Sequence, residues 1–193
     1  QAFQLALDVN AMKSQVMRGL STPTAVMFAP QVDGYDKSLD TVVKPDRERA
    51  KKLLAEAGYP QGFEVTLDCP NNRYINDEKL CQAAAAMLAQ VNVKVRLNAM
   101  PRATYFAKIQ KFDTSFYMLG WGVPTFDSLY SLQSLLRTVG QGASRGEHYC
   151  FGFPVGTPGR PATGTGGILV ATRDLPRPHQ YEAAAAARES MTK

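Results

Sequence analysis

Apolar residues recur with two periods along the first 138 positions of this chain. Between 46 and 57, Ala50, Leu53, Leu54 and Ala57 fall at helical spacing behind Asp46, whose carboxylate can accept the first free N–H groups. Gly58 then supplies the left-handed residue that stops a helix. Phe63, Val65 and Leu67 alternate with polar residues as in a strand, which Pro70 terminates. The cycle repeats. Asn76 or Asp77 opens an alanine-rich helix over 77–90, and Val91, Val93, Val95 and Leu97 alternate as a second strand. Pro101 suits the first turn of a helix carrying Tyr105, Phe106 and Ile109. A third strand, 114–120, runs into Gly120-Trp121-Gly122, and Asp127 caps a last helix with Leu129, Leu132, Leu135 and Leu136 along one side. Upstream, residues 1–8 read as the end of one helix. Asp8 or Asn10 caps another that runs to about Arg18 and stops at Gly19. Residues 20–45, punctuated by Pro23, Pro30, Gly34 and Pro45, read as an extended connection over the surface.

Strand–helix–strand–helix–strand predicts an α/β fold with a mostly parallel sheet flanked by helices. Ligands of such sheets bind beyond the C-terminal ends of the strands. Those ends are 70–74, 100–102 and 120–123, and they hold Asn71, Asn72, Arg73, Tyr74, Arg102 and the single tryptophan, Trp121. A ligand-facing edge follows from topology alone.

Beyond 138 the character changes. Glycine and proline concentrate there, both histidines (His148 and His179) fall there, and lysine is absent from 139 to 192. The stretch 156–167 is too poor in apolar groups to bury a core, so 139–193 reads as a low-order Gly/Pro/Arg-rich tail. Within it, only 167–172 has a strand pattern and only Tyr181–Met191 a helical one. From this composition a frame-shifted reading is the expectation for 139–193, with a divergent natural extension as the alternative.

A chain of 193 residues with a formal charge of +5 is ordinary globular material. The charges of both signs are interspersed, which excludes a nucleic-acid partner. No run of 18 apolar residues exists, and the chain opens without a basic leader segment. Cys69, Cys81 and Cys150 cannot all pair and show no Cys-x-x-Cys spacing, so cysteine usage leaves the compartment open; Cys69 and Cys81 read as structural. Catalytic signatures are missing: no Gly-x-Ser-x-Gly, His-Glu-x-x-His or P-loop occurs. No catalytic residue, metal ligand or cofactor is assigned, and this favours a binding role. The competing readings, a small α/β regulatory domain or a small enzyme, would need acids or a phosphate loop at the strand ends, or a base and nucleophile near Trp121. Instead those ends carry Asn, Arg and Trp.

AKKLLAEAGYPQGF (50–63) closely resembles a segment of the periplasmic solute-binding proteins of dipeptide, oligopeptide and nickel ABC importers, solute-binding family 5. QAFQLALDVNAMKSQVMRG (1–19) is similar to the opening of that family's C-terminal lobe, and VNVKVRLNAMPRATYFAKIQKFDTSFYMLGWG (91–122) to the strand, helix and strand that follow. The resemblance covers 1–138 and stops. It implies one lobe of a two-lobed periplasmic-binding-protein fold. It further implies a role in capturing peptides or a related small solute, an ABC permease at the inner membrane as partner, and an N-terminal lobe that this chain lacks. The implied location is the periplasm, and the implied function excludes catalysis. A fragment of this kind should bind weakly or not at all alone. Gly120 and Trp121 match the segment that lines the family's cleft, and Gly122, Asn72 and Tyr74 complete the candidate ligand-binding set. Two departures stand out: the position where the family pairs an aspartate with a peptide amine is Pro124, and the next acid, Asp127, also reads as a helix cap. Met118 likewise offers no charge to a carboxylate.

Overall fold

The computed structural model describes residues 1–133, except 28 and 112, together with the backbone of two strands at 148–153 and 166–172. The helices are α1 (Ala2–Ala6), α2 (Val9–Ala11, continued by a π-helical turn over Met12–Val16), α3 (Arg47–Glu56), α4 (Asp77–Ala89), α5 (Arg102–Gln110) and α6 (Ser128–Ser131). The strands are β1 (Phe63–Pro70), β2 (Val93–Met100), β3 (Phe116–Trp121), β4 (His148–Phe153) and β5 (Gly166–Thr172). They form one sheet in the order β2-β1-β3-β5-β4.

The capping residues act as their sequence positions suggest. Asp8 Oδ1 accepts the Ala11 N–H at 2.9 Å and Asp46 Oδ1 the Arg49 N–H at 2.9 Å. Gly19 and Gly58 take φ values of 80° and 91°, so each helix ends on a left-handed residue. At the start of α4 the work divides differently. Asn76 occupies the cap position with φ 56°, but its side-chain amide donates to the Val16 carbonyl oxygen at 3.2 Å. Asp77 binds the local N–H groups instead.

Strands β1 and β2 pair in parallel from Phe63↔Val93 to Pro70↔Met100, and β1 meets β3 in parallel at Asp68↔Tyr117. Two connections through α4 and α5 permit this arrangement, because parallel neighbours need a crossover. Side chains alternate between the sheet's two faces. On one face Val65, Leu67, Cys69, Phe116 and Met118 pack with Leu80, Cys81, Ala84 and Leu88 of α4 and with Phe3 and Leu5 of α1. On the other, Tyr117, Leu119 and Trp121 meet Met100, Tyr105, Phe106 and Ile109.

The structure departs from the sequence pattern in three places. First, β4 is a strand over His148–Phe153 that the composition argues against, whereas β5 forms on the strand pattern already seen at 167–172. These two pair antiparallel and extend the sheet from β3, so the sheet is parallel over β2-β1-β3 only. Tyr149, Phe151 and Phe153 alternate with smaller or polar residues, the local signal for β4. The helix expected over Tyr181–Met191 lies outside the described residues. Second, the two described leucines of the expected last helix do not turn inward, while Leu135 and Leu136 lie outside the described residues. Leu129 and Leu132 are exposed, and Ser131 is fully buried because it accepts a hydrogen bond from Trp121. Third, the 20–45 connection is partly anchored: Val32 is buried, and Asp33 forms a parallel bridge with Asp127.

Candidate ligand-facing edge

The sequence nominates Asn72, Tyr74, Gly120, Trp121 and Gly122, and the fold brings their segments to one edge. Asn72 is exposed, and its Oδ1 accepts the Arg102 N–H at 2.7 Å, which stitches the loop after β1 to the start of α5. The Asn71 N–H donates to the Met100 carbonyl oxygen at 3.1 Å and reinforces the seam. Asn72 is therefore partly committed to structure through its Oδ1. The Arg73 guanidinium lies over the Tyr74 ring, 4.9 Å from its centroid.

Tyr74 is half-buried, and its hydroxyl donates to the Gly120 carbonyl oxygen at 3.2 Å. The ring sits where a Cβ on residue 120 would lie, so only glycine fits there. Burial raises the Tyr74 phenol above its ordinary value. The phenol remains a donor. Next along β3, Trp121 is half-buried. Its Nε1–H donates to Ser131 Oγ at 3.0 Å, and Tyr130 stacks on its ring at 5.5 Å between centroids. Gly122 follows, half-buried and without a side chain to cover the adjacent backbone. Asp127 Oδ1 accepts the Leu129 N–H at 2.8 Å, so it is the helix cap that its position suggests.

Several supporting groups carry no such signal in the sequence. Asp77 is buried, and its Oδ2 accepts the N–H groups of Arg73 and Tyr74 at 2.9 and 3.0 Å. Cys69 and Cys81, both buried, form a disulfide across twelve residues, with Met118 Sδ beside both sulfurs. The Asp33 N–H donates to the Phe126 carbonyl oxygen at 2.7 Å and the Ser128 N–H to the Asp33 carbonyl oxygen at 3.0 Å, which fastens the 20–45 connection to the start of α6. Asp77 is legible as a helix-start acid, but only the fold shows that it also holds the preceding loop. Among the described residues, no group of His, Cys, Asp and Glu could hold a metal ion. None of the helices described is long and apolar enough to cross a membrane.

Beneath the edge, Tyr105 of α5 is fully buried and its hydroxyl donates to the Met118 carbonyl oxygen. Burial drives its phenol far above the usual range. The folded state thus keeps a proton that the unfolded chain releases above about pH 10. Stability is fully present below that pH and falls as pH rises, by about 1.4 kcal/mol per unit for this group. In an alkaline titration, the last phenolate absorbance should appear only together with loss of the circular dichroism signal. A complete phenolate signal from a still-folded chain would contradict the assignment.

A three-stranded parallel segment with helices on both faces and a polar-aromatic edge at its C-terminal strand ends defines one lobe of a periplasmic-binding-protein fold. The chain belongs to the bacterial extracellular solute-binding proteins, family 5, whose middle-region model matches residues 1–143. It is 30% identical over 145 residues to the glutathione-binding protein GsiB of Pectobacterium atrosepticum, a match covering 72% of this chain and 27% of that protein. Among solved structures it is similar to AgaA of A. tumefaciens R10 in complex with agropinic acid, at 30% identity and TM-score 0.63 over 70% of this chain and 28% of that one. HbpA2 of Haemophilus parasuis matches at 25% identity and TM-score 0.63, over 69% and 27% of the two chains. The chain spans about a quarter of the length of these relatives. The family is one of solute-binding proteins, not of enzymes.

Proposed function

We propose that this chain forms the ligand-facing part of one lobe in the substrate-binding component of an ABC importer. That component captures a small peptide-like solute in a cleft between two lobes, in the periplasm, and delivers it to a membrane permease. The observation that carries this reading is the edge itself. Gly120, the half-buried Trp121 and Gly122 lie at the same sheet edge as Asn72, Arg73 and Tyr74, at the strand ends where open α/β sheets take ligands. Arg73 and Arg102 give the edge positive charge suited to a carboxylate, the group shared by glutathione, dipeptides and agropinic acid. The Cys69–Cys81 disulfide accords with an oxidising compartment.

Two-lobed capture buries the solute from both sides, so a single lobe offers half the contacts and no closure. The chain alone should therefore give no saturable response to millimolar solute. The test is Trp121 emission in a two-lobed protein carrying this segment, titrated separately with glutathione, the dipeptide Met-Leu and agropinic acid. A saturable change with one of the three is the expected result. Saturable binding that leaves Trp121 emission and quenching unmoved would remove this edge from the cleft.

A further inference from the structure

The loop between β1 and α4 is held at several points. Its two ends are joined by the Cys69–Cys81 disulfide, both sulfurs fully buried against Met118. Inside that closure, the buried Asp77 carboxylate takes the N–H groups of Arg73 and Tyr74 through one oxygen and that of Glu78 through the other. Toward α5, Asn72 is tied to Arg102 at 2.7 Å. The residue that the loop sends across to β3 is Tyr74, whose ring fills the space beside Gly120 and whose hydroxyl holds the Gly120 carbonyl oxygen at 3.2 Å. Gly120 immediately precedes Trp121.

We infer that the Cys69–Cys81 disulfide and Tyr74 are positioning residues: they form a rigid jig that fixes the backbone at Gly120 and so the placement of the Trp121 indole. This deepens the proposed function and rests on it for its bearing on solute binding, but its structural content can be read without any solute. The geometry needs each part. A disulfide removes freedom from the loop it closes, and Asp77 converts the remaining freedom into one fixed path for residues 73 and 74. Tyr74 then transmits that path to the Gly120 end of β3, from the side opposite its pairing with β5 at Gly166 and Gly167, at a glycine that has no side chain of its own to lock against. The Trp121 ring is otherwise held by Ser131, Tyr130 and the Tyr105–Tyr117 cluster.

The chain's single tryptophan makes the test direct. In the full 193-residue chain, Trp121 quenching by acrylamide and amide exchange at 71–76 are compared among the native sequence, Cys69→Ala/Cys81→Ala and Tyr74→Phe. Circular dichroism and thermal melts establish that each is folded. The double cysteine variant should exchange amides 71–76 at least roughly tenfold faster and quench about twofold more, as expected for a loop released from its closure. Tyr74→Phe keeps the disulfide and the ring and should raise quenching alone, with exchange at 71–76 little changed. If the folded double variant shows native quenching, or Tyr74→Phe leaves Trp121 untouched, the jig does not exist. Should the double variant fail to fold, the Tyr74→Phe result decides by itself. A different outcome bears on the function reading: if both variants move Trp121 but solute binding in the two-lobed protein never does, the jig stands and the cleft assignment falls.

Discussion

Replacing Lys108 by methionine should destabilise the chain by about 3 kcal/mol, the lower part of the range for breaking a buried ion pair. Asp68 is almost wholly buried in β1, and its carboxylate has two partners: the Lys108 ammonium at 2.7 Å and the Asn98 side-chain amide at 2.7 Å. Removing the lysine leaves a charge in the sheet with one neutral donor to stabilise it. The effect stays below the extreme because a quarter of the Lys108 side chain remains in contact with water. The double variant Asp68→Asn/Lys108→Met should recover most of the loss, since it removes the stranded charge along with its partner. Urea denaturation midpoints of the two variants decide the matter. A neutral Lys108→Met, or a double variant no better than the single, would mean that the pair is screened and contributes little.

Truncating Trp121 to alanine should weaken solute binding in the two-lobed protein by about 1–3 kcal/mol, the scale of removing an aromatic side chain from a binding surface. Its cost to folding should be about 2 kcal/mol, about 1 from the neutral hydrogen bond to Ser131 and the rest from the half-buried ring's contacts with Tyr130 and the Tyr105–Tyr117 cluster. Ser131→Ala isolates one contribution: it removes that bond, keeps the indole and its packing, and should cost about 1 kcal/mol of folding with little change in affinity. Isothermal titration with whichever of the three solutes binds, alongside thermal melts, gives both quantities. If Trp121→Ala lowers the melting temperature steeply while the folded fraction binds normally, the tryptophan is a plug for the Tyr105–Tyr117 cluster, not part of a cleft wall.

Short-range physics makes much of this architecture legible. Asp8, Asp46 and Asp127 cap as acids before helical runs should, and the alternation of Phe63, Val65 and Leu67 yields a strand whose inward positions are buried. The edge is legible for a topological reason, since parallel strands must finish on the same side. What escapes depends on partners distant in the chain. Nothing local shows that Ser131 and not Leu129 turns inward, because the deciding partner is an indole ten residues earlier. The cysteines at 69 and 81 look inert singly; their pairing needs the strand end and the first turns of α4 to meet. Strand β4 is hidden by the glycine-rich composition around it, which outweighs the alternation of Tyr149, Phe151 and Phe153.

The close seat of Tyr74 on Gly120 also limits how this edge can diversify. A side chain at 120 would occupy the volume of the Tyr74 ring, and shrinking the ring would open a hole next to the strand end. The two positions are locked into a reciprocal constraint and can change only together. Under the proposed function, solute choice would be retuned through neighbours outside that contact: Arg73, Gly122 and Pro124. A library built to alter the solute preference of such a protein would randomise those three and leave 74 and 120 as fixed framework.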